Sequence, residues 1–117
     1  MYCVNLHKDA RGYSPVRDLI KMLDEDNSKE SRITLRKLFY QIERIENKGT
    51  RSGTGITKHI KGDIWELRPG KYRIFYIVDG NQIYLLNWFR KETQRTPVSE
   101  IQKAENLFKD WKENHGQ

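Results

Sequence analysis

Apolar residues recur along this chain at helical spacing in its first and last thirds and at strand spacing between them. Val16, Leu19, Ile20 and Leu23 share one helical face, and Ser14-Pro15 just before them reads as an N-cap followed by proline at the first helical position. A longer run carries Leu35, Leu38, Phe39, Ile42 and Ile45 on one stripe. Arg32, Arg36, Lys37, Glu43 and Arg44 surround that stripe, and Gly49 stands where a C′ glycine belongs. The polar stretch at 24–28 separates the two runs, which predicts an antiparallel helical hairpin serving as core. Residues 2–7 alternate loosely and predict a short first strand.

Three strand-like runs follow, Asp63 to Arg68, Lys71 to Asp79 and Gln82 to Arg90, separated only by Pro69-Gly70 and by Asp79-Gly80-Asn81. Both separators suit tight turns, so the segment predicts an antiparallel meander. Thr96-Pro97 then repeats the cap-and-proline signal, and Val98, Ile101, Ala104, Phe108 and Trp111 make the apolar face of a last helix. The predicted order is β-α-α-β-β-β-α: an α+β domain over 1–117, with a small twisted antiparallel sheet on the helical hairpin and a helix at its C-terminus. Between Gly49 and Gly62 the sequence is rich in glycine and polar residues and predicts a mobile loop. It lacks the Gly-x-x-x-x-Gly-Lys-Ser/Thr spacing of a phosphate loop.

Turn lengths assign the faces of the meander, because directly opposed strand residues point to the same side. A two-residue Pro69-Gly70 loop sets Arg68 opposite Lys71, Glu66 opposite Arg73 and Trp65 opposite Ile74. A second loop of Asp79-Gly80 or of Gly80-Asn81 sets Arg73 opposite Leu86 or Trp88, with the same parity. Trp65, Leu67, Tyr72, Ile74, Tyr76, Val78, Ile83, Leu85 and Phe89 then form the core face. The other face carries Glu66, Arg68, Lys71, Arg73 and Arg90 at one end and Phe75, Ile77, Tyr84, Leu86 and Trp88 elsewhere. Cations gathered around one carboxylate repel one another, and a bound phosphate relieves that repulsion by accepting paired hydrogen bonds from the guanidinium groups.

Charge strengthens this picture. The 117 residues hold 22 Lys+Arg against 16 Asp+Glu, a formal charge of +6 and a pI near 9.5, which favours a polyanionic partner such as nucleic acid, or an acidic protein. Cys3 is the only cysteine, so no intramolecular disulfide is expected and a reduced cytosol is the default. No apolar run approaches the ~20 residues that span a bilayer, so no membrane association is expected. His7, His59, His115 and Cys3 make no metal-ligand spacing, and neither metal nor cofactor is expected.

The run Ile64-Trp65-Glu66-Leu67-Arg68-Pro69-Gly70-Lys71-Tyr72-Arg73-Ile74-Phe75-Tyr76, followed by Phe89-Arg90-Lys91-Glu92-Thr93-Gln94-Arg95-Thr96-Pro97, resembles the RelE/ParE superfamily, most closely its phage-derived HigB-like branch. The likeness covers the chain from about Ser14 onward. It implies a toxin of a type II toxin-antitoxin pair, a ribosome-dependent endoribonuclease acting on mRNA. It further implies a cognate HigA-like antitoxin with a helix-turn-helix domain, which binds operator DNA as part of the complex. Carried over by position, Arg73 matches the sheet arginine that contacts the scissile phosphate, Arg68 a basic residue before it, and Arg90 and Lys91 the basic pair after the last strand. Glu66 stands where RelE has a lysine, and Pro97 falls near its C-terminal tyrosine.

RNA is cut without metal by aligning its own 2′-hydroxyl with the adjacent phosphate, so the protein needs to position, stabilise charge and move protons. Arg68, Arg73, Arg90, Lys91 and Glu66 are the expected catalytic set, Glu66 as general base or as a partner that orients Arg73, the second being favoured. Lys58, His59, Lys61, Lys71 and Arg95 are the expected RNA-binding set. Two other classes fit the same sequence: a ParE-like toxin that inhibits gyrase without cutting RNA, and a basic phage-encoded nucleic-acid-binding module with no enzyme activity.

Overall fold

Ser14 caps the first helix as its sequence predicts. In a computed structural model that describes residues 1–115, the Ser14 hydroxyl accepts a hydrogen bond from the Arg17 N–H at 3.3 Å, and helix α1 runs Pro15–Glu25. Ser28 does the same for α2, Lys29–Lys48, accepting from the Ser31 N–H at 3.1 Å. Gly49 ends α2 at φ 56° and leads into one 3-10 turn, Gly49–Arg51.

The strands are β1 Cys3–Leu6, β2 Thr57–Lys61, β3 Ile64–Leu67, β4 Tyr72–Asp79 and β5 Gln82–Arg90, and the last helix is α3, Val98–His115. They lie in one sheet of order β1-β5-β4-β3-β2. Two expectations change here. The segment 49–62 is not wholly a loop, because its glycines flank Thr57–Lys61 without interrupting it, and antiparallel pairing with β3 satisfies the backbone of β2. The sheet is also mixed, since β1 pairs with β5 in parallel. The helical hairpin carries the chain from one sheet edge to the other, and the four-strand meander then walks back to β1.

The first tight turn is longer than expected. Leu67 stands opposite Ile74 and Glu66 opposite Phe75, so four residues, Arg68 to Lys71, connect the strands. Gly70 supplies φ 60° and the Tyr72 N–H bonds to the Pro69 carbonyl at 3.1 Å. Past the end of the β3–β4 ladder, the Arg68 backbone is held by the Ile56 carbonyl, which accepts from its N–H at 3.1 Å, and by the buried Gln41 side chain. Gln41 Oε1 accepts from the Arg68 N–H at 3.0 Å and its Nε2 donates to the Arg68 carbonyl at 3.1 Å. The register moves by two residues, so Glu66 and Arg73 stay on one face.

A β-bulge changes the second hairpin. Tyr76 opposes Leu85 but Phe75 opposes Asn87, which makes Leu86 the extra residue and reverses parity beyond it. Trp88, expected on the charged face, turns to α1 and donates its indole N–H to the Pro15 carbonyl at 3.0 Å. Phe89, expected in the first core, turns away and stacks on Phe75 at 5.6 Å between centroids.

Two apolar layers result. Val16, Leu19, Leu23, Leu38 and Ile45 of the hairpin meet Leu67, Ile74, Tyr76, Ile83 and Leu85 on one face. On the other, Ala104 and Trp111 of α3 cover Ile64, Phe75, Ile77, Leu86 and Phe89. Phe39 and Val98, both expected to face inward, are 50% and 80% exposed. The buried face of α2 is instead Ser31, Thr34, Leu38, Gln41 and Ile45, of which Ser31 bonds the Asp26 carboxylate and Gln41 the Arg68 backbone. No described helix is long and apolar enough to cross a membrane.

A Cβ on Gly49 would meet the Tyr2 ring at 2.8 Å, whereas one on Gly62, at the same φ of 56°, meets nothing within 4 Å. Gly62→Ala therefore costs only the left-handed strain of roughly 1–2 kcal/mol. Gly49→Ala costs that and the displacement of Tyr2, and urea unfolding of the two variants should show the larger loss at Gly49.

Candidate active site

Strand pairing brings Glu66 of β3 between Lys58 of β2 and Phe75 of β4, on the α3 face of the sheet but beyond the end of the layer that α3 covers. Its side chain is 1% exposed. Arg68 Nε lies 3.6 Å and Arg73 Nε 3.8 Å from Glu66 Oε2, and the Thr96 hydroxyl lies 3.5 Å from Oε1. The carboxylate is thus closed in by two guanidinium groups and by the segment that joins β5 to α3.

Both arginines are anchored on backbone oxygens. Arg73 Nη1 donates to the carbonyls of Gly70 at 2.9 Å and Tyr72 at 2.8 Å, and Arg68 Nη1 donates to the Thr54 carbonyl at 3.0 Å. Their Nε groups are buried without a hydrogen-bond partner, since the contacts with Glu66 are ion pairs rather than hydrogen bonds. Burial pushes the Glu66 carboxyl above its ordinary range, and Arg73, Arg68, Lys91 and Lys58, in that order, pull it back. Arg73 is lowered by burial first and then by Arg68. Lys91 is lowered by burial first, then chiefly by Arg73. Four cations thus converge on one carboxylate, which leaves the cluster strongly positive and suited to an anion.

The backbone behind Glu66 is fixed from the other face. The Thr57 hydroxyl donates to the Glu66 carbonyl at 3.0 Å, so the Tyr76 hydroxyl, 2.6 Å away, is the donor to Thr57 Oγ1. Burial pushes the Tyr76 phenol up to about 12, against the lowering effect of the Thr57 contact, and it stays protonated at neutral pH.

Glu66, Arg68, Arg73, Lys91 and Lys58 come together, and the remaining expected residues do not. Arg90 opposes Tyr72 beyond the bulge and belongs to the hairpin face. Lys71 pairs with Glu30 at 3.4 Å and Lys61 with Glu105 at 2.9 Å. Arg95 is exposed in the segment before α3, and His59 opposes Trp65 on the face away from Glu66. Among the described residues no group of three His, Cys, Asp or Glu is placed to hold a metal. The side chain of His115 lies outside the described residues.

Gln41 and Thr96 were not foreseen. Gln41 carried a signal, a polar residue at a core position three and four residues from Leu38 and Ile45. Thr96 carried none, because its cap-like Thr-Pro context pointed to the helix rather than to Glu66.

A five-stranded sheet with a helical hairpin on one face, a helix on the other and a basic cluster at the sheet end is a RelE-like α+β fold. Residues 19–109 match the family model described as phage derived protein Gp49-like (DUF891), so the chain belongs to that RelE-like family, within the RelE/ParE superfamily expected from its motifs. No curated protein matches it in sequence. Solved structures with this fold include the YoeB-YefM complex from Staphylococcus aureus, with a TM-score of 0.55 at 16% identity, covering 80% of this chain and 99% of that one. The YoeB dimer from the same organism has a TM-score of 0.54 at 18% identity, covering 79% and 97%.

Two outcomes test the site. Because the folded pKa of Glu66 is raised, its protonation contributes stability that is complete below the ordinary value of 4.5 and is lost as pH rises through the folded pKa. Urea unfolding from pH 4 upward should show this slope in the wild type and not in Glu66→Gln, which cannot titrate there. Gln41→Leu leaves the Arg68 carbonyl without its partner and should cost about 1–3 kcal/mol, measured by the same unfolding transitions.

Proposed function

We infer that this protein is the toxin of a type II toxin-antitoxin pair and that it cleaves mRNA without a metal, by promoting attack of the RNA 2′-hydroxyl on the adjacent phosphate. The observation that carries this reading is the set of four cations around the buried Glu66 carboxylate, at the sheet end that α3 leaves uncovered. Membership of the phage-derived family and the fold shared with YoeB, one of whose solved structures is described as a heterotetrameric YoeB-YefM toxin-antitoxin complex, support the toxin role.

In this reading Arg73 and Arg68 bind the scissile phosphate and stabilise the charge that builds up on it. Glu66 is too deeply enclosed to reach a 2′-hydroxyl. It serves as a positioning residue that holds the two guanidinium groups in register. Lys91, with its pKa lowered by burial and by Arg73, is the candidate donor of a proton to the leaving 5′-oxygen, while the attacking 2′-hydroxyl gives its proton to solvent water as the 2′,3′-cyclic phosphate forms. Lys58 extends the phosphate path along β2. Arg95, Lys61, Lys71, Arg90 and His59 lie outside this cluster and serve RNA contacts away from the reacting bond.

The substrate is mRNA on the ribosome, in the cytosol. The neutralising partner is a HigA-like antitoxin with a helix-turn-helix domain, and operator DNA is bound only through the complex. These assignments follow the HigB-like motifs that span β3, β4 and the end of β5.

The test is induction of the wild type, Arg73→Ala, Lys91→Ala and Lys91→Arg, followed by mapping of RNA 5′ ends. Arg73→Ala should lower cleavage about 10²- to 10³-fold, as loss of one charge-stabilising donor does. Lys91→Arg should fail to restore what Lys91→Ala loses, since arginine keeps the charge but does not give up its proton. Identical maps for wild type and all variants would refute the reading. Toxicity that survives Arg73→Ala with mRNA intact would favour gyrase inhibition instead.

A further inference from the structure

A second cavity adjoins the cluster on the other side of Arg68. It measures about 500 Å³ and lies between the 3-10 turn with its glycine-rich continuation and the face of β2 and β3 that turns away from Glu66. Three of its lining residues, Arg51, Lys58 and Arg68, are cationic, and none is acidic. Its wall is aromatic: the His59 ring meets Trp65 edge-on, 5.1 Å between centroids at 62°. His59 Nε2 lies 2.8 Å from the Gly62 carbonyl, a hydrogen bond that fixes the ring's orientation.

We propose that this cavity is a nucleotide subsite, in which a base of the RNA strand next to the cleaved phosphate lies against Trp65 and His59 while its phosphate meets Arg51 and Arg68. Three features point there together. A planar aromatic wall takes a base by its π-face, the more strongly the better that base stacks. A cationic rim without carboxylates takes the phosphate. Arg68 joins the two sites physically, with Nε 3.6 Å from Glu66 and Nη1 on the Thr54 carbonyl that helps line the cavity. A strand whose phosphate sits on Arg68 and Arg73 therefore has a neighbouring nucleotide at the mouth of the cavity. The ordering of β2, whose Thr57 and His59 face the cavity while Lys58 faces Glu66, is what builds both sites from one strand. The subsite rests on the ribonuclease reading for its role in choosing where RNA is cut, but not for its ability to hold a nucleotide.

The experiment has two arms. In the first, each of the four nucleoside 5′-monophosphates, and inorganic phosphate separately, is titrated into the full chain while the assigned Trp65 indole N–H and His59 ring signals are followed by NMR. At least one nucleotide should shift both signals saturably where phosphate alone leaves Trp65 in place. His59→Ala, a change at an exposed ring, should weaken that binding about fivefold or more, the low end of the loss of one base–aromatic stack. No nucleotide-specific shift of Trp65, or equal binding by His59→Ala, overturns the subsite.

In the second arm, RNA 5′ ends are mapped from cells expressing wild type and His59→Ala. Altered base frequencies beside the cuts support a role in substrate choice. Unchanged frequencies, or loss of every cut, overturn that role. Absence of cuts from the wild type itself falls on the ribonuclease reading, and the nucleotide titration then still decides whether the cavity is a nucleotide site.

Discussion

A glutamate whose side chain is 1% exposed is rare in a small protein unless cations accompany it, and the enclosure of Glu66 by Arg68 and Arg73 is the constraint that organises this molecule. Burial alone drives the carboxyl toward its neutral form, while the surrounding cations draw it toward the charged one. The cations in turn need the carboxylate, because Arg68 disfavours charge on Arg73, and Arg73, Arg68 and Lys58 disfavour it on Lys91. Each partner therefore tolerates its place only with the others present, which makes the cluster a single electrostatic unit.

Much of the fold serves to hold that unit. Thr57 and Tyr76 fix the Glu66 backbone from behind, and the Gln41 amide holds both backbone groups of Arg68 as a neighbouring strand would. The turn at Pro69-Gly70 then brings two carbonyls, those of Gly70 and Tyr72, onto Arg73. These contacts come from α2, β2 and β4, so the site depends on the packing of the hairpin against the sheet as much as on the strand that carries it.

The bulge at Leu86 divides the labour of the last strand. Up to that point β5 serves the two cores by simple alternation. Beyond it, Trp88 locks onto α1 through Pro15, Phe89 closes the second core, and Arg90 is carried away from the cationic cluster. Lys91, just past the strand, is left as the basic residue of the Arg90-Lys91 pair that senses Glu66.

The helices, the Ser14 cap and the three meander strands were legible from the chain, because spacing, the Ser14-Pro15 pair and Gly turns are local chemistry. So was the pairing of Glu66 with Arg73 on one face, since a four-residue turn and a two-residue turn share parity. The motifs that match the superfamily were legible for the same reason, as contiguous runs. What only tertiary structure decided was everything that depends on a distant partner. The bulge lies in a stretch, Leu85 to Phe89, that is apolar on both sides of Asn87, so hydrophobic alternation does not mark where the register breaks. Strand β2 is too polar to be read as a strand until β3 supplies its hydrogen bonds. The parallel place of β1 follows from the path of the hairpin across the sheet. Local sequence determines which elements form, and long-range pairing and burial decide which charges meet.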